Sequence, residues 1–163
     1  MKSTKAIFLF LALILPICIF LFLKFFGRNE FDVKPLFWDS PPTADGSCPA
    51  VAVPYIVHDS IRSQLLSGND SLVVIAFNDE TDVDAANQIK RIKDETVNLP
   101  IGLLTLSGSE RHLFWKNCVL LLKGPEDMAV VDRQGRLRGQ YILADREDVD
   151  RLLTEVSIIL KRY

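Results

Sequence analysis

The stretch Ala6 to Leu23, AIFLFLALILPICIFLFL, runs for 18 residues without a charge. Passing over Lys24, Phe25 and Phe26 bring it to about the length of one bilayer crossing. A cleaved export signal needs a shorter apolar core and a small-residue cleavage site. The residues that follow are Lys24-Phe25-Phe26-Gly27-Arg28, which offer no such site. A lipid-attached cysteine fits poorly as well, because Ile17 precedes Cys18 and apolar residues follow it. The sequence therefore predicts a cytoplasmic tail over 1–5 and a single uncleaved transmembrane anchor over 6–26. Pro16 is tolerable in such a span, where neighbouring groups re-satisfy the backbone. Lys2 and Lys5 precede the span while Lys24 and Arg28 follow it, so basic residues are near parity at the two ends. The short tail has no globular content, which favours a cytoplasmic N-terminus. The expected location is a cell inner membrane, crossed once, with the C-terminal domain in the periplasm and the lipid bilayer as first partner.

The chain has 163 residues, a size for one domain. Its 19 Lys/Arg stand against 21 Asp/Glu, and three of the lysines (Lys2, Lys5, Lys24) lie at or before the end of the apolar run. The remaining 16 basic residues face all 21 acids, a net of −5 for the rest of the chain. Nucleic acid, which calls for a basic patch, is not an expected partner. Of three cysteines, Cys18 lies in the apolar run and acts there as a small apolar filler. Cys48 and Cys118 remain, and an oxidising compartment makes a disulfide between them the expectation. Two unpaired thiols are the alternative.

Residues 27–54 read as a proline-rich lead-in. KPLFWDSPPTADGSCPAVAVP holds five prolines, and Phe37 and Trp38 are large apolar residues expected to dock on the core. Residues 55–163 form the outer domain. Leu72 to Phe77, LVVIAF, is a continuous apolar run that predicts a central strand. Four carboxylates follow in six residues: Asp79, Glu80, Asp82 and Asp84. Acids suit the positive end of a helix, and a helix is expected from Asp82 to Val97 with Ala85, Ala86, Ile89, Ile92 and Val97 on its apolar face. Ile101 to Leu106 predicts a second buried strand, and Ser107 to Trp115 a short helix capped by Ser107 or Ser109. Cys118 to Leu122 fits either strand or core loop. In MAVVDRQGRLRGQY, from Met128 to Tyr141, two short strands flank Arg133-Gln134-Gly135, with Gly135 placed for a positive φ. Asp145 is expected to cap a last helix, with Asp148 completing part of a capping box. Val149, Leu152, Leu153, Val156, Ile159 and Leu160 make its apolar stripe, and Lys161 and Arg162 its C-terminal charge. The prediction is an α/β fold: a βαβ unit, then a β-hairpin and a C-terminal helix, on one N-terminal transmembrane helix.

MAVVDRQGRLRGQY followed by DREDVDRLLTEVSIIL resembles the C-terminal half of the SCO/SenC family. These are membrane-anchored proteins of thioredoxin-like fold that deliver copper during cytochrome oxidase assembly. FDVKPLFW and LVVIAFNDE stand where that family has its lead-in and first core strand. The resemblance spans most of Phe31 to Leu160 and is sharpest from Val130 to Tyr141, a structural hairpin. It implies a thioredoxin-like domain and a copper site of two cysteines, spaced C-x-x-x-C after the first strand, with a histidine just ahead of the hairpin. The matching positions here are Glu80 and Asp84, and the approach to the hairpin carries Glu126 and Asp127 with no histidine. Cu(I) prefers thiolate and thioether ligands. The expectation is a divergent relative without a copper, metal or other cofactor site and without catalysis: an accessory whose partners are oxidase subunits or other assembly factors. Two alternatives stay open. One is a thiol-redox or metal-binding protein using Cys48 and Cys118, to which His58 or His112 adds a ligand. The other is a general envelope scaffold.

Overall fold

The computed structural model describes residues 2–26, 33–42, 48–66, 70–78, 81–107 and 110–161, with side chains from 10 to 25 in the first segment. Two compact units result, Met1–Phe31 and Asp32–Tyr163.

The first unit holds helix α1, Lys2–Phe26, 25 residues with Pro16 inside it. Phe10, Leu13, Phe20 and Phe25 are all more than 60% exposed. Among the described residues no helix is long and apolar enough to cross a membrane. The start of the expected span, residues 6–9, lies outside the described side chains.

The second unit is an α/β domain. In chain order it contains α2 (Asp59–Leu65), β1 (Leu72–Phe77), α3 (Val83–Thr96), β2 (Ile101–Leu106) and α4 (Glu110–Phe114). A single π-helical turn, Trp115–Val119, continues α4, and β3 (Met128–Asp132), β4 (Leu137–Tyr141) and α5 (Arg146–Leu160) complete the unit. The sheet order is β2-β1-β3-β4. β1 and β2 are parallel, and β3 is antiparallel to both β1 and β4.

Strand periodicity sorts the core into two layers. Leu72, Val74 and Ala76 of β1, with Met128 and Val130 of β3, face a cluster closed by Ala85 and Ile92 of α3 and by Val149, Leu152, Val156 and Ile159 of α5. Val73, Ile75, Ala129 and Val131 face the opposite side, against Tyr55, Val57, Leu65, Trp115 and Val119 to Leu122. β1 is thus covered on both faces, which is why its sequence is uniformly apolar. β2 has the expected extent but is an edge strand, and Ile101 to Leu104 are only half-buried, not buried as expected.

The helices show why local signals succeed or fail. Asp82 caps α3, its Oδ1 accepting from the N–H groups of Asp84 and Ala85, both at 3.0 Å. Ala86 and Val97 turn outward, and Val97 is 73% exposed. Thr96 takes the buried place instead, its hydroxyl donating to the Ile92 carbonyl at 2.7 Å. At α5, Asp145 Oδ1 accepts from Glu147 N–H, as a cap should. Asp148 reaches past the cap to accept from Ile142 N–H at 2.8 Å, so it fixes the β4–α5 connection rather than closing a capping box. Leu153 and Leu160 pack at the margin of the core. Lys161 is the C-cap, and Arg162 lies outside the described residues, as do Ser109 and the Asp45-Gly46 turn. The expected helix over Ser107 to Trp115 starts later, at Glu110, and passes into the π turn. Cys118 lies in that turn, and Leu120 to Leu122 continue as a buried loop with Leu121 at φ 56°.

The described lead-in lies on the domain through backbone bonds. Leu36 N–H donates to Leu137 O at 2.8 Å, Tyr55 N–H to Phe37 O at 3.0 Å, and Val57 N–H to Gly135 O at 2.8 Å. Phe37 packs on the core as expected. Trp38 does not: it is 43% exposed. Helix α2 has no counterpart in the sequence reading, because seven residues show too few repeats to reveal an amphipathic face.

The hairpin turn is organised by Asp132, which is fully buried. Its Oδ1 accepts from the N–H groups of Gln134 and Arg136 at 3.0 Å, and its Oδ2 from Arg136 Nε at 2.6 Å. Gly135 sits at φ +81°, and a Cβ there would lie 3.0 Å from both Ile56 Cγ2 and Val57 O. Strain and crowding add, so Gly135→Val is expected to destabilise the domain by about 1 kcal/mol or more. Thermal denaturation checks this, and an unchanged midpoint would contradict the turn geometry.

Candidate functional site

The C-terminal ends of parallel strands, where successive connections leave toward opposite faces of a sheet, are the usual place for a crevice. Here β1 runs into α3 on one face, and β2 runs into α4 on the other. Between them lies a cleft of about 680 Å³, lined chiefly by Phe77 at the end of β1, Asn78 and Asp82 after it, Leu106 at the end of β2, His112 and Lys116 from α4 and its π turn, and Asp127 ahead of β3.

The acidic run contributes unevenly. Asp82 lines the cleft as the α3 cap. Asp84 is exposed in the first helical turn, and Glu80 lies outside the described residues, as does Asp79. The two positions matching the family's cysteines therefore form no described site. Asp127 gains a role that the sequence did not suggest. Its Oδ1 accepts from Leu143 N–H at 2.6 Å, and its backbone carbonyl accepts from Phe77 N–H at 2.8 Å. Burial raises its carboxyl above the ordinary aspartate value, and the Asp82 charge adds to the rise. The Leu143 bond and the Lys116 charge oppose it. A residue this polar directly before the fully buried β3 was the one local signal available.

The histidines serve locally. His58 caps α2, its ring Nδ1 accepting from Ser60 N–H at 3.3 Å. His112 donates from Nδ1 to the Ser107 carbonyl. Among the described residues no three His, Cys, Asp or Glu side chains group to hold a metal ion.

Cys48 and Cys118 form a disulfide, with Cα atoms 5.2 Å apart and a sequence separation of 70. It fastens the lead-in to the π turn, and neither cysteine lines the cleft. Beside it Tyr55, whose hydroxyl donates to Val119 O at 2.7 Å, is pushed up to about 12 by burial. Cys18 is free and exposed on α1.

No protein-family model matches the chain, and no curated protein is significantly similar to it.

Two expectations follow. Non-reducing peptide mapping of the oxidised protein should recover Cys48 and Cys118 on one linked peptide, and reduction should cost up to about 4 kcal/mol in denaturant, the chain-entropy value for a loop of this size. Two alkylatable thiols in the folded, oxidised protein would exclude the link. For Asp127, a folded-state carboxyl raised above its unfolded value favours the protonated form. Its charge therefore opposes folding at neutral pH, and that penalty fades as pH falls through the raised value toward the ordinary range near about 4. Asp127→Asn keeps the acceptor for Leu143 N–H and removes the charge. It should raise the unfolding midpoint at neutral pH and lose that advantage in acid. An advantage that grew on acidification would refute the assignment.

Proposed function

We propose that the chain is a membrane-anchored, thioredoxin-like protein related to the SCO/SenC family. In this reading it acts without catalysis as an accessory in respiratory cytochrome oxidase assembly, its domain facing the periplasm and its partners oxidase subunits or other assembly factors. The observation that carries the fold half is the sheet: order β2-β1-β3-β4, with β3 alone running against the other strands. With α3 joining β1 to β2 and α5 closing the chain, this is the βαβ-then-hairpin layout the resemblance implies. The process comes from the resemblance in Val130 to Tyr141 and rests on it.

The binding role is supported by the residues at the end of β1. Among the described residues the cleft there offers the amide of Asn78, the carboxylates of Asp82 and Asp127, the ammonium of Lys116 and the imidazole of His112, and no sulfur for Cu(I) or thiol exchange. The anchor rests on the uncharged run from Ala6 to Leu23 in the sequence, although no described helix is long and apolar enough to cross a membrane. A run of that kind belongs either inside a large core or in a bilayer. A second reading, thiol redox, is favoured by the Cys48–Cys118 link.

The full-length chain, captured from membranes in mild detergent, should bring oxidase subunits with it. The purified chain should take no Cu(I) from a competing chelator. Recovery without oxidase subunits sinks the process assignment and leaves a general scaffold. Stoichiometric Cu(I) binding that disappears in Cys48→Ser moves the function to the second reading.

A further inference from the structure

The cleft beside β1 gathers hydrogen-bond acceptors. Asn78 Oδ1 is buried with no hydrogen-bond partner among the described residues. A buried acceptor left unmet loses its water without compensation, an arrangement that a ligand donor corrects. Asp127 stands beside it, since Phe77 N–H bonds the Asp127 carbonyl and Asn78 is the next residue. Asp127 commits Oδ1 to Leu143 N–H, and Asp82 commits Oδ1 to two helix N–H groups. Among the described residues the second oxygen of each accepts no hydrogen bond. The Asp82 charge is close enough to act on Asp127. Against these two carboxylates the cleft sets one ammonium, Lys116. Its nearness to Asp127 disfavours a doubly charged ion more than a singly charged one. Of the remaining walls, Phe77, Leu106 and Leu113 form an apolar side, and Thr81, Ser107 and His112 a polar one.

We propose that this cleft binds a primary ammonium group on a short aliphatic stem. Its N–H donors meet Asn78 Oδ1 and the carboxylate of Asp127, Asp82 adds charge, and the stem lies against Phe77, Leu106 and Leu113. The group arrives either on a small amine or on the lysine side chain of another protein. This goes beyond the assembly role and stands independently of it, because amine binding is read on the purified chain with no oxidase subunit present.

The test is a titration of the isotope-labelled full chain in detergent micelles, followed by amide chemical shifts. The probes are n-butylamine, n-butanol, a capped Gly-Lys-Gly peptide and calcium chloride. Saturable shifts at Asn78, Asp127 and Leu113 with butylamine, absent with butanol, are the expected result. Saturation by butylamine alone assigns a small amine, and saturation by the peptide as well assigns a presented lysine. Asn78→Leu should weaken binding about tenfold, the effect of one charge-assisted hydrogen bond, while leaving thermal stability equal or higher because a buried unmet acceptor is removed. A merely structural asparagine would instead lose stability. Lys116→Met should tighten binding by removing the competing cation. Equal responses to butanol and butylamine, no saturation with either amine probe, or calcium binding that excludes butylamine would each overturn the proposal.

Discussion

The buried carboxylate of Asp132 is the interaction on which the rest of the domain depends. A carboxylate taken out of water is costly unless charges and N–H donors surround it. Asp132 obtains both from its own turn: two backbone N–H groups, the Arg136 guanidinium, and Arg138 Nη1 at 3.5 Å. Satisfying it therefore forces the hairpin into one shape. The consequences spread in two further directions. Asp132 pairs with Leu72 at the start of β1, and the adjacent Arg133 N–H bonds Ser71 O at 3.1 Å, so the hairpin sets where the central strand begins. Arg138, only 7% exposed, passes its other nitrogen to Val33 O at 2.6 Å and ties the lead-in across β4. One acid thus joins turn, central strand and lead-in.

This explains why the Val130 to Tyr141 motif was the most legible part of the sequence. Its residues are fixed by local bonds, and Asp132, Gly135 and Arg136 lie within a few positions of one another. β1 and the stripe of α5 were legible for a related reason: burial on both faces, or on one face at helical spacing, imposes a pattern that repeats several times. Helix α2 repeats too briefly to show one. Val97 and Trp38 mislead because size and apolarity do not reveal which side of an element meets the core. The edge position of β2 was hidden, since Ile101 to Leu106 is as apolar as a central strand and only the sheet order exposes it.

The site was less legible than the fold. Two positions of the acidic run after Phe77 match the family's cysteines, but the cap at Asp82 and the exposed Asp84 account for the described part of the run by helix electrostatics alone. What makes a cleft is the meeting of Asn78, Lys116 and Asp127, which come from three separate stretches of the chain. No spacing rule joins them. Asp127 appeared in the sequence only as a position where a histidine was missing.

The disulfide has a mechanical consequence. It joins residue 48 directly to residue 118, and α2, β1, α3, β2 and α4 all lie in the chain between those points. Tension arriving along the backbone ahead of Cys48, and resisted anywhere beyond Cys118, follows the covalent shortcut through sulfur. The enclosed half of the domain carries none of that pull along its own backbone. Load reaches β3, β4 and α5 first, and the two strands of the hairpin become the elements whose cross-strand bonds are sheared. In the oxidised state the pull reaches β1 and β2 only across the β1–β3 ladder; in the reduced state it would run along their own backbone as well.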